Sequence, residues 1–348
     1  MAADLVVVAR ERLTSQLLAG RPATSVLDVV SRLLAVQAQD PRGARLAVRA
    51  RSTGLHSSDV DAALNDRELV VSWLNRGTLH LVRTADYWWL HELTTPQLAT
   101  GNATRLRQEG VESDAADRGV EAIVAALSSY GPLPRAALRE HVAAAGVRTE
   151  GQALVHMLVL ATLRGLIVRG PMAGKEQAFV LVRDWLGDHP AVDRQGALAE
   201  LARRYLRGHG PASDRDLARW AGIPLRDARA GMSAAASELV EREDGLLALR
   251  AAGSRSRAAE VPPPRLLGSY EPLLCGWASR EHVLANSTQR LVTDNGLFRP
   301  FALVGGRAVA TWSVTGERVT LAPFAAVSAA EEAALEADAA AVVEFLRS

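Results

Sequence analysis

The sequence predicts a helix-rich α+β protein: three tandem winged-helix units followed by a C-terminal β-rich subdomain and a terminal helix. Three observations predict it. A weak internal repeat sets a helix on each side of a Gly-Pro turn, as YGPLPRAALREHV at 130–142 and HGPASDRDLARWA at 209–221. Each copy runs on into a further helical stretch and then two short apolar runs around a turn. Beyond a Pro-rich break, EVPPPR at 260–265, the pattern changes to alternating strands.

Taken in order, the N-terminal part predicts helices over about 7–19, 25–38 and 58–67. VVSWLNRGTLHLV follows as a hairpin around Asn75-Arg76-Gly77, with Thr84 as the expected N-cap of the helix ADYWWLHEL. The second unit has helices around Gly119–Ser128 and after Pro134. GQALVHMLVLATLRGLIVRG and AFVLVRDWL then flank the turn PMAGKEQ. The third has the helix Gln195–Gly208, the second Gly-Pro turn, PLRDARAGMSAAASELVERE, and a hairpin at Asp244-Gly245, since Asp-Gly between apolar runs is a strong hairpin signal. FRPFALV, AVATWSV and RVTLAPF read as strands separated by Gly305-Gly306 and Thr315-Gly316. Ser328 and Glu331 form a capping box for a helix to about Leu346. These assignments divide the chain at 1–110, 111–190, 191–258 and 259–348.

The 348 residues exceed what one core usually holds, in keeping with several modules. Hydrophobic content of 48% and charged content of 23% suit a soluble globular protein. No apolar run reaches the ~18 residues of a membrane span, and the N-terminal apolar run is too short for a signal peptide, so a cytoplasmic protein is expected. The single cysteine, Cys275, excludes an internal disulfide and a cysteine metal cluster, and the eight histidines show no metal-ligand spacing. No metal and no cofactor are expected. Net charge is only +1, yet Lys175 is the sole lysine, so 39 of the 40 basic side chains are arginine, the side chain suited to bidentate phosphate contact. A GC-rich genome gives the same bias, so local placement has to decide its meaning.

The segment VQAQDP at 36–41 carries the sharpest chemical signal. Val30, Leu33 and Leu34 form a helical stripe whose next member is Gln37, which directs that amide toward the core. Left unsatisfied there it would cost roughly 1–3 kcal/mol. Pro41 drives Asp40 out of the helical region, so the helix is expected to end near residue 38 or 39. In extended chain, Gln37 and Gln39 would project to one side; in continued helix they would lie about 200° apart. The plainer reading is a Gln that satisfies loose carbonyls at a helix end beside a solvated one. Arg42 and Arg45 follow the pair, and Arg76 sits at the tip of the first hairpin, each either a phosphate contact or a solvated charge. His80 alternates with Leu79 and Leu81 and is expected to face solvent or DNA. Trp277 either packs the C-terminal part or lines a groove.

VQAQDP, RGTLHL, HGPASDRDLARWAG, LLGSYEPLLCGWASR and NGLFRPFALVGGRAVATWS together resemble the AlkZ/YcaQ family of winged-helix DNA glycosylases, across about residues 5–320. The motif Gln37-Ala38-Gln39 is similar to the AlkZ-like branch, which has Gln-apolar-Gln where YcaQ-like members have Gln-apolar-Asp. The resemblance implies hydrolysis of the N-glycosidic bond of alkylated purines in double-stranded DNA, with Gln37 and Gln39 catalytic. It also implies resistance to DNA-alkylating natural products, including unhooking of interstrand crosslinks. DNA contacts are assigned to Arg42, Arg45, Arg76, His80 and Trp277. With one lysine, far in sequence from the glutamines, a monofunctional enzyme without a Schiff base is expected. A monomer is expected as well, since no dimerisation helix is obvious. Two other readings of the same order of elements are a winged-helix transcription regulator and a lesion binder without chemistry. The apolar ALVHMLVLATL stands against base reading in the second unit, whereas Arg226, Arg229 and Ser233 leave it open in the third.

Overall fold

The computed structural model describes residues 2–250, 261–284, 288–294 and 296–347. In chain order it runs α1 (Ala2–Ser15), α2 (Val26–Leu33), β1 (Val36–Gln37), α3 (Pro41–Arg49), α4 (Ser57–Asn65), β2 (Leu69–Leu74), β3 (Thr78–Arg83), α5 (Tyr87–Thr94), α6 (Ala99–Gln108), α7 (Ser113–Tyr130), α8 (Arg135–Ala144), α9 (Ala153–Leu163), β4 (Ile167–Ala173) and β5 (Glu176–Leu181). It continues through α10 (Val182–Trp185), α11 (Arg194–His209), α12 (Asp214–Ala221), α13 (Leu225–Ala234), β6 (Leu239–Glu241), β7 (Leu247–Leu249), β8 (Arg265–Leu267), α14 (Pro272–Cys275), α15 (Glu281–Leu284), α16 (Thr288–Leu291), β9 (Phe301–Val304), β10 (Arg307–Thr315), β11 (Arg318–Pro323) and α17 (Ala329–Arg347). The class is α+β and rich in helix, and among the described residues no helix is long and apolar enough to cross a membrane.

The chain divides into two compact units. One comprises Met1–Val60, Leu198–Trp220 and Pro224–Ser348, the other Asp61–Ala197 with Ala221–Ile223. In the first, an antiparallel sheet of order β11-β10-β9-β8 packs its apolar face on α17. Leu266, Ala302, Val309, Ala310 and Trp312 meet Leu335, Val342 and Phe345 there, and Leu46 of α3 enters the same core. The Trp312 indole N–H donates to the Leu267 carbonyl at 2.9 Å, so this large ring is buried without stranding its polar atom. The capping box forms as expected: the Ser328 hydroxyl donates to Glu331 Oε2 at 2.8 Å and accepts the Glu331 N–H at 3.3 Å.

In the second unit the strands lie in the order β3-β2-β4-β5, so β2 is a central strand. Every residue of Leu69–Leu74 is buried, the near-continuous apolar run of a strand covered on both faces. The α9 sequence ALVHMLVLATL is packed among α6, α7 and this sheet, with Leu154, Met157, Leu158 and Ala161 buried, which accounts for its lack of polar base-reading side chains.

Several expectations need correction. The second helix stops at Leu33, not at residue 38 or 39, and a further helix, α3, begins at Pro41. Proline fits the first helical position because it has no N–H to satisfy there, so the residue that reads as a breaker is in fact the start signal. The helix of the second unit spans Ser113–Tyr130, longer than expected. Thr84 does not cap α5; its hydroxyl donates to the Arg67 carbonyl at 2.5 Å. The boundary expected at 258/259 lies outside the described residues.

Candidate active site

The glutamine motif lies on a loop shaped by burial. Val26, Val29, Val30 and Leu33 form the buried face of α2, and Ser25 caps it by accepting the Asp28 N–H at 3.1 Å. Leu34 then adopts φ 65° and ψ −48°, and the Ala35 N–H donates back to the Leu33 carbonyl at 2.8 Å. This is the positive-φ form of the γ-turn, which is rare for a branched side chain and costs on the order of 1–3 kcal/mol. Leu34 is fully buried, and its packing holds the chain in that conformation. The turn ends α2 four residues before Gln37.

Val36 and Gln37 are extended, and Gln37 is buried at 7% exposure while Gln39 is exposed. The pair thus straddles the boundary between interior and solvent. Asp40, held extended by Pro41, turns its carboxylate to the start of α3, where Oδ1 accepts the Arg42 N–H at 3.0 Å. The carboxylate next to the glutamines is therefore engaged as a helix cap. Arg42 is exposed, and Arg45 is half-buried with Nη1 donating to the Pro41 carbonyl at 2.9 Å.

The segment Gly268–Glu271 lies directly against α3. A Cβ on Gly43 would fall 2.4 Å from the Ser269 carbonyl oxygen, and one on Gly268 would fall 3.0 Å from the Gly43 Cα. The two motifs VQAQDPRG and LLGSYEP therefore touch backbone to backbone, and only glycine permits it. Tyr270 follows at φ 53°, a second strained non-glycine residue at this place. Its ring centroid is 5.7 Å from that of Phe298, and the Arg280 guanidinium lies 5.0 Å above the Phe298 ring. Partial burial, and then the Asp40 charge, raise the Tyr270 pKa above the usual tyrosine value. Its phenol is consequently a neutral O–H donor at physiological pH.

Glu271 turns inward and forms a fully buried ion pair with Arg51. Arg51 also donates to Gln16 Oε1 at 2.7 Å and to the Ala47 carbonyl at 2.9 Å, while Glu271 Oε1 accepts the Leu273 N–H at 3.2 Å. At the far end of α3, Arg49 grips Asp338 at 2.6 and 2.9 Å, and the same carboxylate accepts the Leu266 N–H at 2.7 Å. Both ends of the structure behind the loop are thus fixed by charge-assisted bonds.

The remaining candidates lie elsewhere. His80 is 1% exposed, contrary to the expected solvent-facing position. The strand alternation is real, but β2 and β3 are covered on both faces, so the polar side of the hairpin is interior too. The His80 Nδ1–H donates to the Thr78 carbonyl at 2.9 Å. Burial, and then the Arg76 charge, push its pKa down to about 3, which keeps the imidazole neutral. Trp277 is 2% exposed and packs internally. Its indole N–H donates to the His209 carbonyl at 2.9 Å, Arg12 lies 4.7 Å above the ring and His282 meets its edge at 4.8 Å. Neither side chain has surface to offer DNA. Arg76 is half-buried in the β2–β3 turn at φ 41°; the α12–α13 turn packs onto it so closely that a Cβ at Gly222 would be 2.5 Å from the Arg76 nitrogen. Tyr270, Phe298 and Arg280 are not singled out by residue type or spacing, although all three lie within the stretches LLGSYEPLLCGWASR and NGLFRPFALVGGRAVATWS. Among the described residues no group of three or more His, Cys, Asp or Glu is gathered as metal ligands.

The chain is thus a helix-rich α+β protein that carries Gln37 buried and Gln39 exposed on a loop that follows the strained Leu34 turn. Its sequence matches the family described as DNA glycosylase AlkZ-like over residues 30–345, and the chain belongs to that family. It is similar to an interstrand DNA cross-link repair glycosylase of Streptomyces sahachiroi, 26% identical over 351 aligned residues that cover 94% of this chain and 93% of the relative. The solved structure of Streptomyces sahachiroi DNA glycosylase AlkZ superposes with a TM-score of 0.78 at 25% identity, covering 98% of this chain and 95% of that one.

Proposed function

We propose that this glycosylase releases bulky or crosslinked N7-alkylated purines from double-stranded DNA by water-mediated hydrolysis, with Gln37 and Gln39 as its catalytic residues. A purine alkylated at N7 already carries a positive charge, so it leaves without being protonated. As the C1′–N9 bond breaks, its electron pair returns to the base and neutralises it, while the sugar gains oxocarbenium character. The amide oxygens stabilise that charge and orient the attacking water. The water oxygen bonds to C1′ and its proton passes to solvent. No titratable base is needed, and the Asp40 carboxylate is engaged as a cap of α3. The single observation that carries the reading is the Gln37/Gln39 pair, one buried and one exposed, on a loop fixed by the Leu34 turn.

Tyr270 adds a neutral O–H donor to the same place, and Arg42, Arg45 and Arg76 serve as phosphate contacts. The three runs of helices ending in a hairpin act as winged-helix units. The cross-link repair named for the Streptomyces relative supports crosslinked substrates, and a role in self-resistance to alkylating natural products is part of the same proposal. An open groove rather than a closed pocket suits a base still tied to the opposite strand, in contrast to ordinary base flipping. The enzyme acts as a monomer.

The test is single-turnover base release from duplex DNA treated with a bulky N7-guanine alkylator, compared with methylated purines and undamaged DNA. Gln37→Ala and Gln39→Ala should each slow release by about 10²-fold, the usual effect of deleting one preorganised dipole, with lesion binding retained. A double variant that releases base at the wild-type rate rejects the glutamine mechanism.

A further inference from the structure

The unit that holds the glutamines also contains an open groove of about 850 Å³, bordered by α1, the turn after it, α2, the end of α11 and β7. Gln37, Gln39 and Tyr270 do not line it. One of its arginines, Arg242, is neutralised by Glu11 at 2.7 Å and Asp244 at 3.2 Å. Three others, Arg21, Arg32 and Arg207, make no hydrogen bond or ion pair among the described residues. Arg32 is half-buried, yet it gains no acceptor for the water it has lost. Burial, and then the charge of Arg207, lower its pKa from the usual arginine value. Asp28, one turn earlier on α2, faces the same groove without pairing to it.

Two guanidinium groups held near one another with one of them partly desolvated are unfavourable unless an anion joins them. The planar guanidinium fork matches phosphate oxygens two at a time. We propose that this groove binds the phosphate backbone of duplex DNA, clamped by Arg32 and Arg207 with Arg21 at its edge, as a contact site distinct from the glutamine loop. It rests on the enzyme's action on DNA and is independent of the lesion and of the glutamine chemistry.

The experiment is equilibrium binding of undamaged duplex DNA to the full chain across a salt series. Arg32→Gln/Arg207→Gln is compared with wild type and with the exposed control Arg318→Gln. The slope of log K against log salt should become shallower by about 2 in the double variant, one per lost phosphate contact, and stay unchanged in the control. Arg207→Gln alone, at an exposed position, should lose about 1 and keeps the test valid if the double variant is poorly folded. Equal slopes in wild type and variants overturn the proposal. So does a wild-type site that is saturated by inorganic phosphate while the DNA slope is indifferent to the substitutions. Failure of the slope with base release intact removes only the groove; failure of base release with the slope change intact removes only the glutamine mechanism.

Discussion

The β2–β3 hairpin and the loop at 37–43 with its neighbour 268–271 make an instructive pair. Both set polar side chains among apolar ones, and both fall within the span 30–345 that matches the AlkZ-like family. In the hairpin, Ser72, Asn75 and His80 are each at most 1% exposed. In the loop, Gln37 is buried but Gln39 is exposed and Tyr270 half-buried. The hairpin has its positive-φ residues, Arg76 and Gly77, where a tight turn needs them, whereas the loop strains Leu34 and Tyr270. A polar group sealed on both sides serves packing; one at an open boundary can meet a substrate. Variants of Ser72, Asn75 and His80 should therefore act through stability, and loop variants through chemistry.

The largest expected effect sharpens the comparison from behind the loop. Arg51→Ala leaves Glu271 as an unpaired, fully buried charge and should cost about 3–5 kcal/mol in denaturant unfolding. Replacing both partners with apolar residues of similar size should recover most of the loss. Should Arg51→Ala unfold like wild type, the pair is not what holds segment 268–271 in place.

Next comes an acid test of the hairpin. His80 is pushed to about 3 from an unfolded value near 6.5, so between those values the unfolded chain binds the extra proton. Stability should be full above pH 6.5 and fall as the pH drops, by roughly 2–3 kcal/mol for this group near pH 4.5. His282, also pushed to about 3 by burial and then by Arg12, adds a similar loss. Comparing His80→Gln with wild type from pH 7 to 4.5 isolates the hairpin's share; identical acid profiles would show that His80 is not held neutral by burial.

The sequence made the hairpins and the terminal helix legible because each has a local cause. Asp244-Gly245 and Asn75-Arg76-Gly77 are turn chemistry, and Ser328 and Glu331 a capping box. The misreadings share a different cause. Strand alternation correctly separated His80 from Leu79 and Leu81, but it could not reveal that β4 pairs with β2 and that both faces are covered. Helical periodicity carried α2 through to Gln37 because Ala35 and Val36 are apolar, whereas the stop is a backbone turn at Leu34 that no composition signals. Trp277 and Tyr270 lie seven residues apart in one motif, and only long-range packing against His209 and Phe298 separates an interior ring from one at the site.

The smallest effect expected is also the most discriminating. Tyr270→Phe removes one hydroxyl and keeps the ring against Phe298 and the backbone at φ 53°. Unfolding should shift by no more than about 0.5 kcal/mol, since the residue is only half-buried. Loss of one neutral hydrogen bond at the reacting sugar or its phosphate should slow single-turnover base release about 5- to 10-fold, worth roughly 1 kcal/mol. Because the phenol pKa is raised, the ratio of variant to wild-type rate should be flat from pH 6 to 9. A ratio that changes with pH would mean that Tyr270 titrates during turnover. Wild-type rates in both Tyr270→Phe and Tyr270→Ala would return this residue to the same class as His80, a motif position kept for packing alone.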